Sequence, residues 1–372
     1  MKLCVVIPCY NEDLDALLTS LASCELEPNT AEVLLVFNHG TTADATLKSK
    51  HHLQCKQWDN QQLSNGLVVY SVKAFDLPSK HAGVGLARKL GMDLALQRMA
   101  AINHDGLIVC LDGDCTVSVN YLERLLTIEA TKTNGVSIAF EHDIELIDSQ
   151  LDKDRIVMYE IFLRYYIQAL RYTCYPHSFH TIGSSMAVRA SAYAKIGGMN
   201  KRKAGEDFYF LHKLMPQGNF VDETECRVFP SARTSERVPF GTGRAMLEMK
   251  EGSKSFDQIY NPALFKEIKE WLTLDIAQLA LATWPKSIVH FVENYDWLGE
   301  LQQLKKRSKT KEQWNKNFSY WLDGFKMLKL VHFLRDEYYP NIPIKKACHD
   351  LLEIEGEPLD LLRELRRSDG AR

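Results

Sequence analysis

Five short apolar runs, at residues 3–7, 33–37, 67–72, 107–111 and 136–140, punctuate the first part of the chain. Each is five or six residues long and bounded by polar or turn-forming residues, the pattern of strands buried on both faces of a sheet. Between the runs the spacing becomes helical. Leu14, Leu17, Leu18 and Leu21 fall on one helix face, and Leu86, Leu90, Leu94 and the following Leu96 predict a second helix over about residues 82–98. Alternating strands and helices imply βαβ units and a mainly parallel sheet, because parallel neighbours need a crossover and that crossover is usually helical. The fold class is therefore α/β, a mainly parallel sheet flanked by helices. Ligands bind such sheets beyond the carboxyl ends of the strands. Two polar segments fall there: Pro8-Cys9-Tyr10-Asn11-Glu12 after the first run and Asp112-Gly113-Asp114 after the fourth.

The pattern changes after about residue 150. Ile156 to Tyr172 predicts one long helix whose apolar side chains pack under the sheet, and residues 181–229 carry glycine-punctuated turns and short elements. From about residue 245 the spacing is helical, with Trp271, Trp284, Trp297, Trp314 and Trp321 spread along it. That predicts a helical C-terminal region, residues 246–372. No internal repeat or low-complexity stretch is visible.

Composition narrows the classes without choosing one. The 372 residues are 45% hydrophobic and 25% charged, ordinary for a globular chain, and suffice for one large α/β domain with an appendage or for two domains. A formal net charge of −3 gives no case for nucleic acid or an anionic membrane surface. No stretch approaches the roughly 18 uninterrupted apolar residues of a membrane span, and the first strand starts too early to leave room for a secretion signal; the expectation is a cytoplasmic protein. The nine cysteines contain no Cys-x-x-Cys pair, so they read as small buried hydrophobes rather than a disulfide framework or zinc ribbon. His177 and His180 have no companions that would complete a zinc site, and the basic run Lys305 to Lys311 reads as a solvated turn.

Asp112 and Asp114, two residues apart at a strand end, suit a hard divalent cation that also grips a diphosphate. Together with Pro8-Cys9-Tyr10-Asn11-Glu12 at the end of the first strand, this arrangement resembles the family 2 glycosyltransferases of the GT-A fold. The resemblance spans residues 1–245, with a nucleotide-sugar half (1–115) and an acceptor half (116–245), and it implies a role for each motif. Pro8, Tyr10, Asn11 and Glu12 would hold the nucleoside. Asn38-His39 stands where the family usually shows paired aspartates; the Asn38 amide can still accept a hydrogen bond from a base imide, while Asp44 serves as a helix cap. Lys80 to Gly91 matches the family segment in which glycines lead into an arginine-bearing helix, and Lys80 or Arg88 would handle phosphate or the metal-binding carboxylates. Its Gly83-x-Gly85 is not a dinucleotide fingerprint, because Arg88 replaces the third glycine and no strand precedes it.

The same resemblance assigns Mn²⁺ or Mg²⁺ to Asp114 with Asp112, and places Gly113 beside the donor. Gly183 and Ser184 would back the sugar. Glu206-Asp207 corresponds to the pair in which the aspartate is the general base of inverting members. Relatives often place a metal-binding histidine after that helix; none occurs between His212 and His290, and Arg233, Arg237 or Arg244 would close over the diphosphate instead. The implied activity is metal-dependent inverting transfer from a nucleotide-diphosphate sugar, a UDP-sugar foremost, to an unspecified acceptor hydroxyl. Two alternatives stay open: a nucleotide-sugar-binding protein without turnover, and a nucleotidyltransferase.

Overall fold

A computed structural model describes residues 1–237 and 239–370. Its chain divides into two compact units, residues 1–148 with 180–247, and residues 149–179 with 248–372. The first unit is built on a nine-stranded sheet, in the order β3-β4-β2-β1-β5-β8-β7-β9-β6. The strands are β1 (Leu3–Cys9), β2 (Ala31–Gly40), β3 (Gln61–Gln62), β4 (Val68–Leu77), β5 (Leu107–Cys110), β6 (Thr116–Val117), β7 (Gly135–Phe140), β8 (Met186–Arg189) and β9 (Phe220–Phe229). The five apolar runs are β1, β2, β4, β5 and β7. Between strands come helices α1 (Asp15–Ala22), α2 (Ala45–Trp58), α3 (Val84–Ala101), α4 (Tyr121–Glu129), α6 (Ala190–Lys195) and α7 (Glu206–Leu214); α5 (Gln150–Tyr172) belongs to the second unit.

The block β4-β2-β1-β5 is wholly parallel, and the registers Leu3↔Leu107 and Cys9↔Phe37 bring the carboxyl ends of β1, β2 and β5 to one edge. Beyond β5 the sheet is mixed: β8 runs antiparallel to both β5 and β7, whereas β7 and β9 are parallel. The leucine stripe of α1 is buried as its spacing requires, and Asp44 caps α2 by accepting the Leu47 amide at 2.8 Å. Two strands outside the five apolar runs carry buried charges. In β9, Glu223 occupies a buried position because Arg124 pairs with it at 3.1 Å, so the apolar alternation is broken by a charge. In β8, the buried Arg189 donates to the carbonyls of Asp105, Glu129, Thr131 and Thr133, gathering a helix end and a turn that would otherwise lack donors.

The second unit groups α5 with the C-terminal helices α9 (Pro262–Thr273), α10 (Lys286–Asn294), α11 (Trp297–Arg307), α12 (Lys311–Trp321), α13 (Gly324–Glu337), α14 (Ile344–Leu352) and α15 (Pro358–Ser368), while α8 (Thr242–Lys250) spans the division between units. The expectation that α5 packs under the sheet is corrected here. Its principal neighbours are α15, α9 and α14, and the buried Glu160 on α5 takes the guanidinium of Arg366 at 2.7 and 3.0 Å. A helix apolar over most of its circumference needs cover from several sides, and periodicity cannot say which elements provide it. The division therefore differs from a single cut at residue 245. Trp271, Trp284, Trp297 and Trp314 are buried in this unit. Among the described residues no helix is long and apolar enough to cross a membrane.

Helix α3 lies unusually close to the sheet at Gly91, where an added Cβ would sit 2.4 Å from Val6 Cγ1 and 2.8 Å from Val36 Cγ2. Both contacts are with β-branched side chains in the core, which have little room to turn aside. Gly91→Val is expected to cost about 1–3 kcal/mol by overpacking, read as a lower denaturation midpoint. A midpoint equal to wild type would show that α3 can move away from the sheet without loss.

Candidate active site

The site lies at the edge where β1 and β5 end. β1 delivers Tyr10, Asn11 and Glu12; β5 delivers Asp112, Gly113 and Asp114; the segment after β9 delivers Arg233 and Arg237. All of these but Asp112, with Asp13, Ala16, Leu17, Cys115, Thr116 and Ser235, line a cavity of about 540 Å³ within the first unit. This volume falls in the range of roughly 300–1,000 Å³ usual for small-molecule sites. Glu12 shapes the turn after β1 from inside, its Oε2 accepting the amides of Tyr10 (2.7 Å) and Asn11 (3.0 Å). Gly113 packs closely beside it: an added Cβ would crowd Leu14 Cδ2 at 3.1 Å and the Glu12 side chain at 3.2 Å.

Each strand-end carboxylate is held by an arginine. Arg233 approaches Asp114 Oδ2 through Nε at 2.7 Å and Nη2 at 2.6 Å, and Arg237 bonds Glu12. Burial alone would raise the Glu12 carboxyl, but Arg237, and then the backbone amides of Tyr10 and of Glu12 itself, hold it below its usual range. Asp114 goes the other way: burial, then the charge of Asp112, push it up against the pull of Arg233.

Below this layer Arg88, 1% exposed on α3, donates to Asp112 Oδ1 at 2.6 Å and to Glu206 at the start of α7. Gly183 closes over the same guanidinium: an added Cβ would lie 2.8 Å from Arg88 Nη1 and 3.0 Å from Asp207 Oδ2. One arginine thus joins Asp112, Glu206, Asp207 and Gly183. Burial opposes its charge, but Asp112 and Glu206 outweigh burial and raise its pKa. Glu206 is pushed up to about 7 by burial, which Arg88 only partly offsets, and burial likewise raises Asp207. A carboxylate lifted in this way is a better proton acceptor near neutral pH than an ordinary aspartate.

Of the residues singled out in the sequence, Tyr10, Asn11, Glu12, Gly113, Asp114, Arg233 and Arg237 line the cavity, while Arg88, Asp112, Gly183, Glu206 and Asp207 form the network around Arg88. Pro8 is buried within β1, and Ser184 is buried beside Cys115. Asn38 is 5% exposed within β2, opposite Ala74, and Lys80 is exposed on the turn before α3; neither is among the residues lining the cavity. Two supporting residues carried no local signal. Lys50 Nζ donates to Asn11 Oδ1 at 2.8 Å, and the buried His51 uses Nε2 to hold the Tyr10 carbonyl while its Nδ1 lies 2.9 Å from His39 Nδ1. Both sit in mid-α2, about forty positions along from the turn they brace.

Five carboxylates (Glu12, Asp112, Asp114, Glu206 and Asp207) face three guanidinium groups here, an excess of negative charge that suits a divalent cation. Among the described residues no group of three or more metal-ligating side chains converges. The two carboxylates Asp112 and Asp114 are of the type that would hold Mn²⁺ or Mg²⁺, since such ions commonly take one or two carboxylates and complete their shell with phosphate and water.

No family model matches the chain, and no curated protein does. Among solved structures, it is similar to S. aureus TarS. It is 14% identical to the TarS 1–349 chain, covering 99% of this chain and 91% of that one at a TM-score of 0.42. The TarS 1–349 complex with UDP-GlcNAc aligns at 15% identity, over 74% and 68% of the two chains, with a TM-score of 0.43. The chain spans 37% of the longer TarS structure, at 15% identity and a TM-score of 0.40. The likeness is remote.

Removing the central guanidinium tests the network directly. Arg88→Met leaves Asp112 and Glu206 without their shared partner and is expected to destabilise the fold by about 3–5 kcal/mol, with part regained in Arg88→Met/Glu206→Gln. Chemical denaturation measures both; a loss of less than about 1 kcal/mol in the single variant would show that the network does not depend on Arg88.

Proposed function

We propose that this chain is an inverting glycosyltransferase that moves a sugar from a nucleotide-diphosphate sugar, a UDP-sugar foremost, to an acceptor hydroxyl. The observation that carries the reading is the coupling, through buried Arg88, of the β5-end carboxylate Asp112 to the Glu206-Asp207 pair at the start of α7. A raised carboxylate and a diphosphate-sized cavity rimmed by arginines are the two halves that single displacement needs.

In this reading the turn Tyr10 to Glu12 receives the nucleoside, and Arg233 and Arg237 exchange their carboxylate partners for phosphate oxygens. Both arginines are about 40% exposed on their side chains, so the present ion pairs are weak enough to yield. Asp114 and Asp112 would hold Mn²⁺ or Mg²⁺, which when bound neutralises charge on the diphosphate. Asp207 takes the acceptor proton as the acceptor oxygen bonds to the anomeric carbon; the bond from that carbon to the β-phosphate oxygen breaks, and its electron pair leaves with the nucleoside diphosphate. Glu206 remains on Arg88 and fixes the start of α7, so that Asp207 is presented in one orientation.

Asp207→Asn keeps size and shape but cannot accept a proton, so transfer is expected to fall about 100- to 10,000-fold while UDP affinity holds. Because burial raises Asp207, and the base acts only when ionised, the acidic limb of the wild-type kcat profile lies above the ordinary aspartate range, and rate is lost as pH falls through it. Transfer within about threefold of wild type in the folded Asn variant would remove Asp207 from the role.

The cation assignment has its own test. Asp114→Ala should abolish Mn²⁺-dependent UDP binding in calorimetry while the fold persists; unchanged affinity and metal dependence would refute it. The released product separates the remaining classes, since transfer yields nucleoside diphosphate, a nucleotidyltransferase yields pyrophosphate, and a binding protein yields neither.

A further inference from the structure

A second hollow, of about 420 Å³, opens on the helical unit between α10 and α13, walled chiefly by His290, Tyr295, Lys329, His332, Phe333 and Asp336. Its size also falls within the range of roughly 300–1,000 Å³ seen for small-molecule sites. The walls combine aromatic faces with polar groups. Tyr295 is 37% exposed, with its ring 6.3 Å from Phe333, and His290 stands edge-on to Phe333 at 5.1 Å. The His290 ring is fixed in turn by Tyr338, whose hydroxyl lies 2.7 Å from Nδ1.

The charges in this hollow are balanced. Asp336 is already taken by Arg335, Nε to Oδ1 at 2.7 Å and Nη2 to Oδ2 at 2.9 Å. Lys329 lies over the rings of Tyr295 (5.1 Å) and Phe325 (4.9 Å), and Glu337, also in the wall, supplies the opposite sign. Burial, then the charge of Arg335, lowers the pKa of His332, so it is neutral near pH 7. No net field remains to select a strong cation or anion. What remains is donors and acceptors of both kinds around partly exposed rings. Cores of protein–protein interfaces are depleted in Lys, Glu and Asp, all three of which line this hollow, so a small polar ligand suits it better than a protein partner.

We propose that this hollow binds a neutral saccharide, its C–H face against Tyr295 and its hydroxyls bonded to Lys329, His290 and Asp336. The choice of a saccharide among neutral polar ligands rests on the sugar-transfer reading; the hollow itself does not. On this proposal the helical unit holds a sugar-bearing chain independently of the donor cavity.

Saturation-transfer NMR on the full chain tests it, with cellobiose and N,N′-diacetylchitobiose as probes and irradiation of protein aromatic protons. Wild type is expected to transfer saturation to ring C–H protons of at least one probe. Tyr295→Ala should weaken binding roughly tenfold and Asp336→Asn several-fold, with Mn²⁺–UDP affinity retained. Asp114→Ala should lose UDP yet keep disaccharide transfer; if even wild type fails to bind UDP while disaccharide transfer persists, the sugar-transfer reading falls and the saccharide site stands. Absence of transfer to both probes in wild type would overturn the proposal. So would equal transfer in wild type and both variants. Self-association in sedimentation that Tyr295→Ala abolishes would also overturn it, by giving the face to a second copy of the chain. Asp336 is exposed, so the Asn variant remains informative should Tyr295→Ala fail to fold.

Discussion

One buried guanidinium organises the candidate site. Arg88 leaves α3, reaches Asp112 at the end of β5 and Glu206 at the start of α7, and packs against Gly183, which must lack a side chain to admit it. An ionised arginine in the interior is tolerated only when its charge and hydrogen bonds are met, so positions far apart in sequence become mutually dependent. Moving β5, α7 or the Gly183 turn alone would leave a charge stranded. That constraint fixes the geometry of the carboxylates more firmly than the loops carrying them.

Arginines at the rim obey different physics. Arg233 and Arg237 hold Asp114 and Glu12 from a partly exposed segment, where ion pairs contribute little net stability because water and salt compete for both partners. The site therefore has a permanent inner layer and an exchangeable outer one. On the proposed function, a diphosphate in the cavity would offer the outer arginines oxygens of equal or greater charge and free two carboxylates. The inner arginine has no such exchange open to it without dismantling α7.

The helical unit uses another kind of packing. Its tryptophans bury large ring faces, with Trp271 and Trp284 centroids 5.7 Å apart, and α5 is tied to α15 through Glu160 and Arg366. Rings that remain partly at the surface, Tyr295 and His290 among them, line one hollow with Phe333, and Tyr338 braces His290. Exposed aromatics scattered singly need no explanation, whereas their convergence with charges of both signs does.

The five apolar runs by themselves determined the strands β1, β2, β4, β5 and β7; β1 and β5 are buried at every position and so apolar throughout, whereas β4 is half-exposed along much of its length. The Leu14 to Leu21 stripe determined α1 in the same local way. Alternation of strands and helices also placed Pro8 to Glu12 and Asp112 to Asp114 at one sheet edge, since parallel strands share their carboxyl ends. Tertiary structure decided the rest. β8 and β9 bury Arg189 and Glu223, whose charges are met in part by partners more than fifty residues away, so neither strand shows an unbroken apolar run. Helix α5 showed its apolar faces in the sequence but not what covers them. Lys50 and His51, which brace the Tyr10-Asn11 turn, and the pairing of each carboxylate with its own arginine, were likewise set only by the fold, because Coulomb attraction and hydrogen bonding act between neighbours in space and leave no period along the chain.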